Sequence, residues 1–304
     1  MRAPTLLLLA LAGALAPGAL PASVGAQAPV ECYERVATIV GTEGNDLLTG
    51  SPRNDVIAGL GGDNVIDAGG GRDLVCPGDG NDTVTGGPGI DGVDASGGDD
   101  RLDGGRGDDD YVGFFDAPAP VRVDLAAGIA TGWGSDVLAG FESVVASRRF
   151  GDTILGSRGT NWLEGRGGND VLNGRGGVDV IEGDAGNDRF IGGRGFDFAT
   201  YYYARRGVSA NLTTRVGRGE GVDRFSGIEG IDGSRFRDLL VGSRGQNDLY
   251  GYGGNDRLLG RGASDFLFGG AGADRLDGGR GFDSLNGGPG RDACRRGERL
   301  TSCP

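Results

Sequence analysis

The chain of 304 residues contains no histidine and no lysine; all 30 of its basic residues are arginine. Without histidine there is no His-based zinc site, no Ser-His-Asp or Cys-His catalytic pair and no HExxH motif. GxSxG and P-loop motifs are absent too, and the four cysteines form no CxxC, so neither a zinc ribbon nor a redox pair is supported. Large apolar residues are sparse while glycine reaches 66, a balance that by itself leans toward disorder. A formal charge of −13 with no basic stripe makes a poor binder of nucleic acid or anionic membrane and a good binder of cations.

The first 28 residues read as a secretory signal peptide: Arg2, the apolar run LLLLALAGALA over residues 6–16, then Ala26-Gln27-Ala28 as an A-x-A cleavage site. No later segment has 18 apolar residues in a row, so no further membrane span is expected. In the oxidising compartment this implies, secreted and extracellular, an even number of cysteines reads as disulfides. Four cysteines allow three connectivities, and proximity in sequence favours Cys32–Cys76 and Cys294–Cys303, one staple at each end.

What overrides the disorder reading is a period of nine. From Asp46 the steps fall on Asp55, Asn64, Asp73, Asp82, Asp91, Asp100 and Asp109, with Leu48, Ile57, Ile66, Val75, Val84, Val93, Leu102 and Tyr111 two residues after each. The register resumes at Asp152 and runs through Asn161, Asp170, Asp179, Asp188 and Asp197, then again at Asp238 through Asn247, Asp256, Asp265, Asp274, Asp283 and Asp292. Twenty-one units in blocks of eight, six and seven share the pattern G-G-x-G-x-D-x-U-x, with U apolar; GGRGDDDYV (104–112), GGAGADRLD (269–277) and GGRGFDSLN (278–286) show it best.

This pattern resembles the hemolysin-type calcium-binding repeat of RTX proteins, a parallel β-roll signature. The resemblance implies an all-β fold, a parallel β-roll or β-solenoid of stacked 18-residue coils, and multiple Ca²⁺ ions as cofactor. The residues themselves suggest the same construction. Six Gly-rich residues form a turn, and x-U-x forms a short strand with U inward. Two turns and two strands close one coil, and coils stack about 4.8 Å apart. Aspartates 18 residues apart, such as Asp73 and Asp91, then face each other at that spacing. An ion with Ca–O bonds of about 2.4 Å reaches both, and turn carbonyls can complete its shell. Magnesium fits this geometry worse, and soft metals are disfavoured by an all-oxygen set. The expected ligands are the 18 aspartates named above; Asn64, Asn161 and Asn247 should make weaker sites, and Arg53 in place of a turn glycine weakens the case for Asp55.

Residues 113–151 and 200–237 break the phase and resemble each other: VRVDLAAG against VSANLTTR, GFESV against GIEGI, SRRFGD against SRFRD. They read as spacers, and the resemblance to RTX-like chains, where similar interruptions are common, implies extra strands that cap or extend the roll. Glu142 and Glu229 stand at equivalent places in them, and YYYARR (201–206) reads as an aromatic cover on the coil edge. The expected organisation is a leader (1–28), a capped first block (29–112), a spacer (113–151), a second block (152–199), a spacer (200–237) and a stapled third block (238–304). No catalytic site is recognised. The expected function is a calcium-binding extracellular module that folds on binding its ions, structural or adhesive, with calcium and an unidentified cell-surface or glycan ligand as partners. The competing expectation is a calcium-dependent, polysaccharide-active enzyme.

Overall fold

In the repeat blocks every glycine-rich turn is followed by a strand of three to six residues, and apart from the two-stranded antiparallel hairpin Glu31–Cys32 and Arg35–Val36 the strands fall into two facing sheets joined coil by coil. The computed structural model describes residues 29–107 and 109–303, which form an all-β parallel solenoid; no helix occurs among the described residues. The leader expected over residues 1–28 lies outside the described residues. One sheet has 14 strands, from Ile39–Val40 to Arg299–Thr301. Its core steps are parallel and 18 residues long: Ile57 pairs with Val75, Leu163 with Ile181, Leu249 with Leu267. The other sheet runs from Leu47–Ser51 to Ala293–Arg295 with the same step, as in Leu48 on Ile66 and Leu258 on Leu276.

The apolar residue of each x-U-x triplet points between the sheets, because alternate strand residues face opposite sides. Ile57, Val75, Val93, Ile154, Leu163, Leu172, Ile181, Leu240, Leu249, Leu258, Leu267 and Leu285 are all at 0% exposure. The core is thus one residue deep from each sheet and continuous along the roll.

The two phase breaks extend the roll. In each, the 14-stranded sheet continues without interruption: Val112 pairs with Val144, and Ala199 with Ile231. The other sheet takes up an antiparallel excursion of three strands, Arg122–Asp124, Ile129–Thr131 and Ser135–Ala139, and later Ser209–Asn211, Val216–Arg218 and Val222–Ser226. The last strand of each excursion stacks on the preceding block and the first on the following block.

The register expectation fails at one place. Val112, at 0% exposure, pairs with Val93, whereas Tyr111 is opposite Gly92 and lies outside the core. One extra residue in this turn moves the aspartate place from Asp109, which is exposed, to Asp110, which is buried. Tyr111 instead packs edge-on against Tyr33, 5.7 Å away, and Tyr33 also meets Phe115 at 5.1 Å. This aromatic cover belongs to the N-terminal cap, which the Cys32–Cys76 disulfide ties to the roll; Cys294–Cys303 closes the other end.

Candidate metal centres

The aspartates of the repeat form two inner ladders, one ahead of each sheet. In each rung the carboxylate Oδ1 accepts a hydrogen bond from the backbone N–H of the ladder residue one coil earlier. Asp55 N–H donates to Asp73 Oδ1 at 2.7 Å, Asp73 to Asp91 at 2.8 Å, and Asp91 to Asp110 at 2.7 Å. The same bond joins Asn64 to Asp82, Asp82 to Asp100, Asp152 to Asp170, Asp170 to Asp188 and Asp179 to Asp197. It joins Asp238 to Asp256, Asp256 to Asp274, Asp265 to Asp283 and Asp274 to Asp292. The 18-residue spacing therefore brings successive aspartates together as expected, but through the backbone of one and the side chain of the next.

The second oxygen is what distinguishes the rungs. Oδ2 of Asp73, Asp82, Asp91, Asp100, Asp110, Asp170, Asp179, Asp188, Asp197, Asp256, Asp265, Asp274, Asp283 and Asp292 is buried with no hydrogen-bond partner. Where the first residue of the turn is glycine, the carboxylate curls back toward it; a Cβ on Gly269 would meet Asp274 Oδ2 at 2.5 Å, whereas the turns of Asp73, Asp82 and Asp100 start on Ala68, Pro77 and Ala95. By contrast, the second oxygen of Asp46, Asp55 and Asp152 accepts from the N–H and hydroxyl of Thr42, Ser51 and Ser147. Both oxygens of Asp238 accept from Ser234.

Several ladder members escaped the nine-residue count. Asp136 and Asp223 accept from the N–H of Asp100 and Asp188, and each carries the D-x-U signal (Leu138, Phe225) inside a spacer; Asp136, 36 residues after Asp100, keeps the nine-residue phase but is cut off from the block by steps that fall on Pro118 and Ala127, whereas Asp223, 35 residues after Asp188, is out of phase. Glu142, Glu229 and Glu298 take the same place with longer side chains, accepting through Oε2 from Asp110, Asp197 and Asp283. In the aromatic run, Tyr201 is buried and donates its hydroxyl to Asp223 Oδ2 at 2.7 Å, so this tyrosine is part of the ladder, not a surface cover.

Burial is the largest influence on these carboxyls. It pushes Asp100, Asp110, Asp179, Asp188 and Asp265 up to about 7 and Asp170 and Asp256 up to about 8, the backbone N–H of each rung pulling the other way. Neighbouring carboxylates raise them further, as Asp188 and Asp152 do for Asp170. At neutral pH the row is therefore either partly protonated or matched by a cation. The available donors are oxygens alone, which suits a hard ion such as Ca²⁺. Among the described residues no three Asp, Glu, His or Cys side chains converge on one point. An ion here would accordingly take carboxylates from the ladder and the rest of its oxygens from turn carbonyls.

The profile of the RTX calcium-binding nonapeptide repeat, four copies long, matches residues 40–75, 77–111, 149–181, 169–199, 232–267 and 268–297. No curated protein is similar enough to match the chain. The matched segments cover more than half of the chain and coincide with the blocks that carry the aspartate ladders, and the chain belongs to the family of RTX calcium-binding nonapeptide-repeat proteins.

Proposed function

We propose that the protein is a secreted, non-catalytic β-roll that folds on binding several calcium ions and serves as an extracellular structural or adhesive module. The calcium-binding β-roll follows from the family. One observation carries the ion assignment: a row of 14 buried aspartate oxygens with no protein partner. A buried polar atom left unpaired is costly, and a buried unpaired charge more so. Their owners, Asp73 to Asp110 in the first block, Asp170 to Asp197 in the second and Asp256 to Asp292 in the third, are the proposed side-chain ligands. Asp110 replaces Asp109 in that set. The two disulfides favour an oxidising, extracellular setting. No helix among the described residues is long and apolar enough to cross a membrane.

Calcium titration of the full chain, read by equilibrium dialysis, is expected to saturate at several ions per chain. Magnesium at the same concentration should not displace them. Saturation at one ion or none would overturn the assignment.

The adhesive reading is supported by the outer face of the 14-stranded sheet. Tyr250 there lies 5.6 Å from Phe266, 6.3 Å from Phe268 and 6.4 Å from Phe198, and Tyr252 is 4.9 Å from Tyr202. Asp232 and Asp248 alternate with these rings in register. Half-buried rings beside hydrogen-bond acceptors match the apolar faces and hydroxyls of a sugar chain. The calcium-loaded protein is expected to bind neutral polysaccharide on a glycan array, and Tyr250→Ala to weaken that binding at least fivefold. An array with no signal would leave the structural role alone.

A further inference from the structure

The aspartate turns come in two conformations, and their distribution along the chain is not random. In the turns with an orphaned carboxylate oxygen, the residue four before the aspartate has a left-handed backbone even where it is not glycine: φ is +93° at Gly69, +71° at Arg175 and +85° at Arg261; before Asp110, where the turn has its extra residue, the place falls five before, at Gly105 with φ +112°. Two residues on, a second left-handed position follows, as at Gly71 and Gly272, where φ is +127° and +149°.

Among the described turns of the three repeat blocks, six do neither. In these, Thr42, Ser51, Ser147, Ser157, Ser234 and Ser243 stand four or five residues before Asp46, Asp55, Asp152, Asn161, Asp238 and Asn247, and none has a positive φ. Each gives its backbone N–H to the acid or amide at 2.6–2.8 Å and its hydroxyl at 2.7–3.2 Å. The hydroxyl oxygen in turn accepts an N–H two or three residues on, from Gly44, Arg53, Phe150, Gly159, Phe236 and Gly245. That closed circuit explains why Arg53 and Phe236 are tolerated where most open turns have a left-handed residue, usually glycine and once Ala263 at φ +62°.

Two of the three ladder asparagines fall in these turns; the third, Asn64, lies in an open turn, Leu60 φ +76°, and gives its Nδ2 to the carbonyl of Pro77 at 3.3 Å. The side-chain Nδ2 of Asn161 donates to the carbonyl of Glu142, and that of Asn247 to the carbonyl of Glu229, each at 2.9 Å. An amide hydrogen at that place excludes a cation. Serine by itself is not the determinant: Ser96 precedes Asp100 by the same four residues but is left-handed, φ +52°, and leaves Asp100 Oδ2 unpartnered.

The six closed turns are the first two units of each of the three blocks, so each pair forms one entire coil. We propose that these six turns bind no calcium, and that every block opens on a coil held together by serine or threonine hydroxyls in place of ions. The hydroxyl hydrogen and the neighbouring N–H supply the positive charge that the open turns draw from the cation. Each opening coil then offers an already formed edge on which the calcium-dependent coils stack, so ordering spreads from it toward the C-terminus.

This inference rests on calcium binding by the open turns, and the test separates the two. Bound calcium is counted by equilibrium dialysis on the full chain, wild type and variants, with folding checked by circular dichroism. Asp238→Asn is expected to leave the count unchanged, whereas Asp274→Asn lowers it by at least one. If Asp238→Asn lowers the count as Asp274→Asn does, the inference is overturned while the calcium assignment stands. If the wild type binds no calcium, the assignment itself fails. Should Asp238→Asn not fold, the converse variant decides: Ser243→Gly with Asn247→Asp opens a closed turn and is expected to add at least one ion, and an unchanged count overturns the inference.

Discussion

Stripped of calcium by excess EGTA at pH 7.5, the chain is expected to lose its β-sheet circular dichroism and its cooperative thermal transition, and to recover both in millimolar calcium. The reason is the thinness of the core set against the load it carries. Each coil contributes one inward apolar residue from each sheet, while its turns bury carboxylates whose second oxygen has no protein partner. Without the ions, like charges repeat on successive coils. Extracellular calcium sites have dissociation constants of about 10⁻⁴–10⁻³ M. At tenfold excess each contributes about 1.4 kcal/mol to folding, so ten such sites give about 14 kcal/mol, comparable with the entire stability of an ordinary domain. The disulfides tie only the two ends and leave the middle of the roll to the ions. A chain that keeps its sheet signal and a sharp melt in EGTA would overturn ion-coupled folding.

Acid should partly substitute for calcium. In the calcium-free protein the β signal is expected to be stronger at pH 5 than at pH 8. Burial raises the folded-state values of Asp100 and Asp188 to about 7 and of Asp170 and Asp256 to about 8, above the usual carboxylate value near 3.9 in an unfolded chain. Between those values the folded state binds more protons than the unfolded one, so stability falls as pH rises. The contribution is complete below about pH 4 and is lost as pH climbs through 7 and 8. Asp124 works in the opposite sense, since its Arg175 partner lowers its value, but its contribution is lost only as pH falls below the ordinary carboxylate range. The pH is varied at fixed low calcium and followed by far-ultraviolet circular dichroism. A calcium-free fold that strengthens from pH 5 to pH 8 would show that protons do not relieve the buried row.

The nine-residue period made most of this architecture readable in advance, because a strand triplet with one inward residue leaves its mark at every repeat. Both cysteine pairs follow from proximity in sequence and from the oxidising context. The misreading at Asp109 has a physical origin: Asp109 and Asp110 are adjacent, and either Tyr111 or Val112 could fill the apolar place. Only the pairing of Val112 with Val93 decides between them. Asp223 was hidden because its antiparallel excursion shifts the count by one residue, and Asp136 because the steps before it fall on Pro118 and Ala127, although each keeps an apolar residue two places on. The closed turns did carry a signal, a Ser or Thr four or five residues before the acid. Ser96 shows why that signal alone misleads: the backbone angle, not the residue type, determines whether the hydroxyl reaches the carboxylate.

The inner ladder also has a direction. The N–H of Asp73 is closed by Asp91, that of Asp91 by Asp110, and near the far end that of Asp283 by Glu298. Each of these turns is therefore sealed by a residue that follows it, at most about 65 Å of extended chain away for an 18-residue step. A chain that emerges N-terminus first finishes each coil only when the next one has arrived. Shortening it from the C-terminus should accordingly peel the roll one coil at a time, leaving the earlier seals intact.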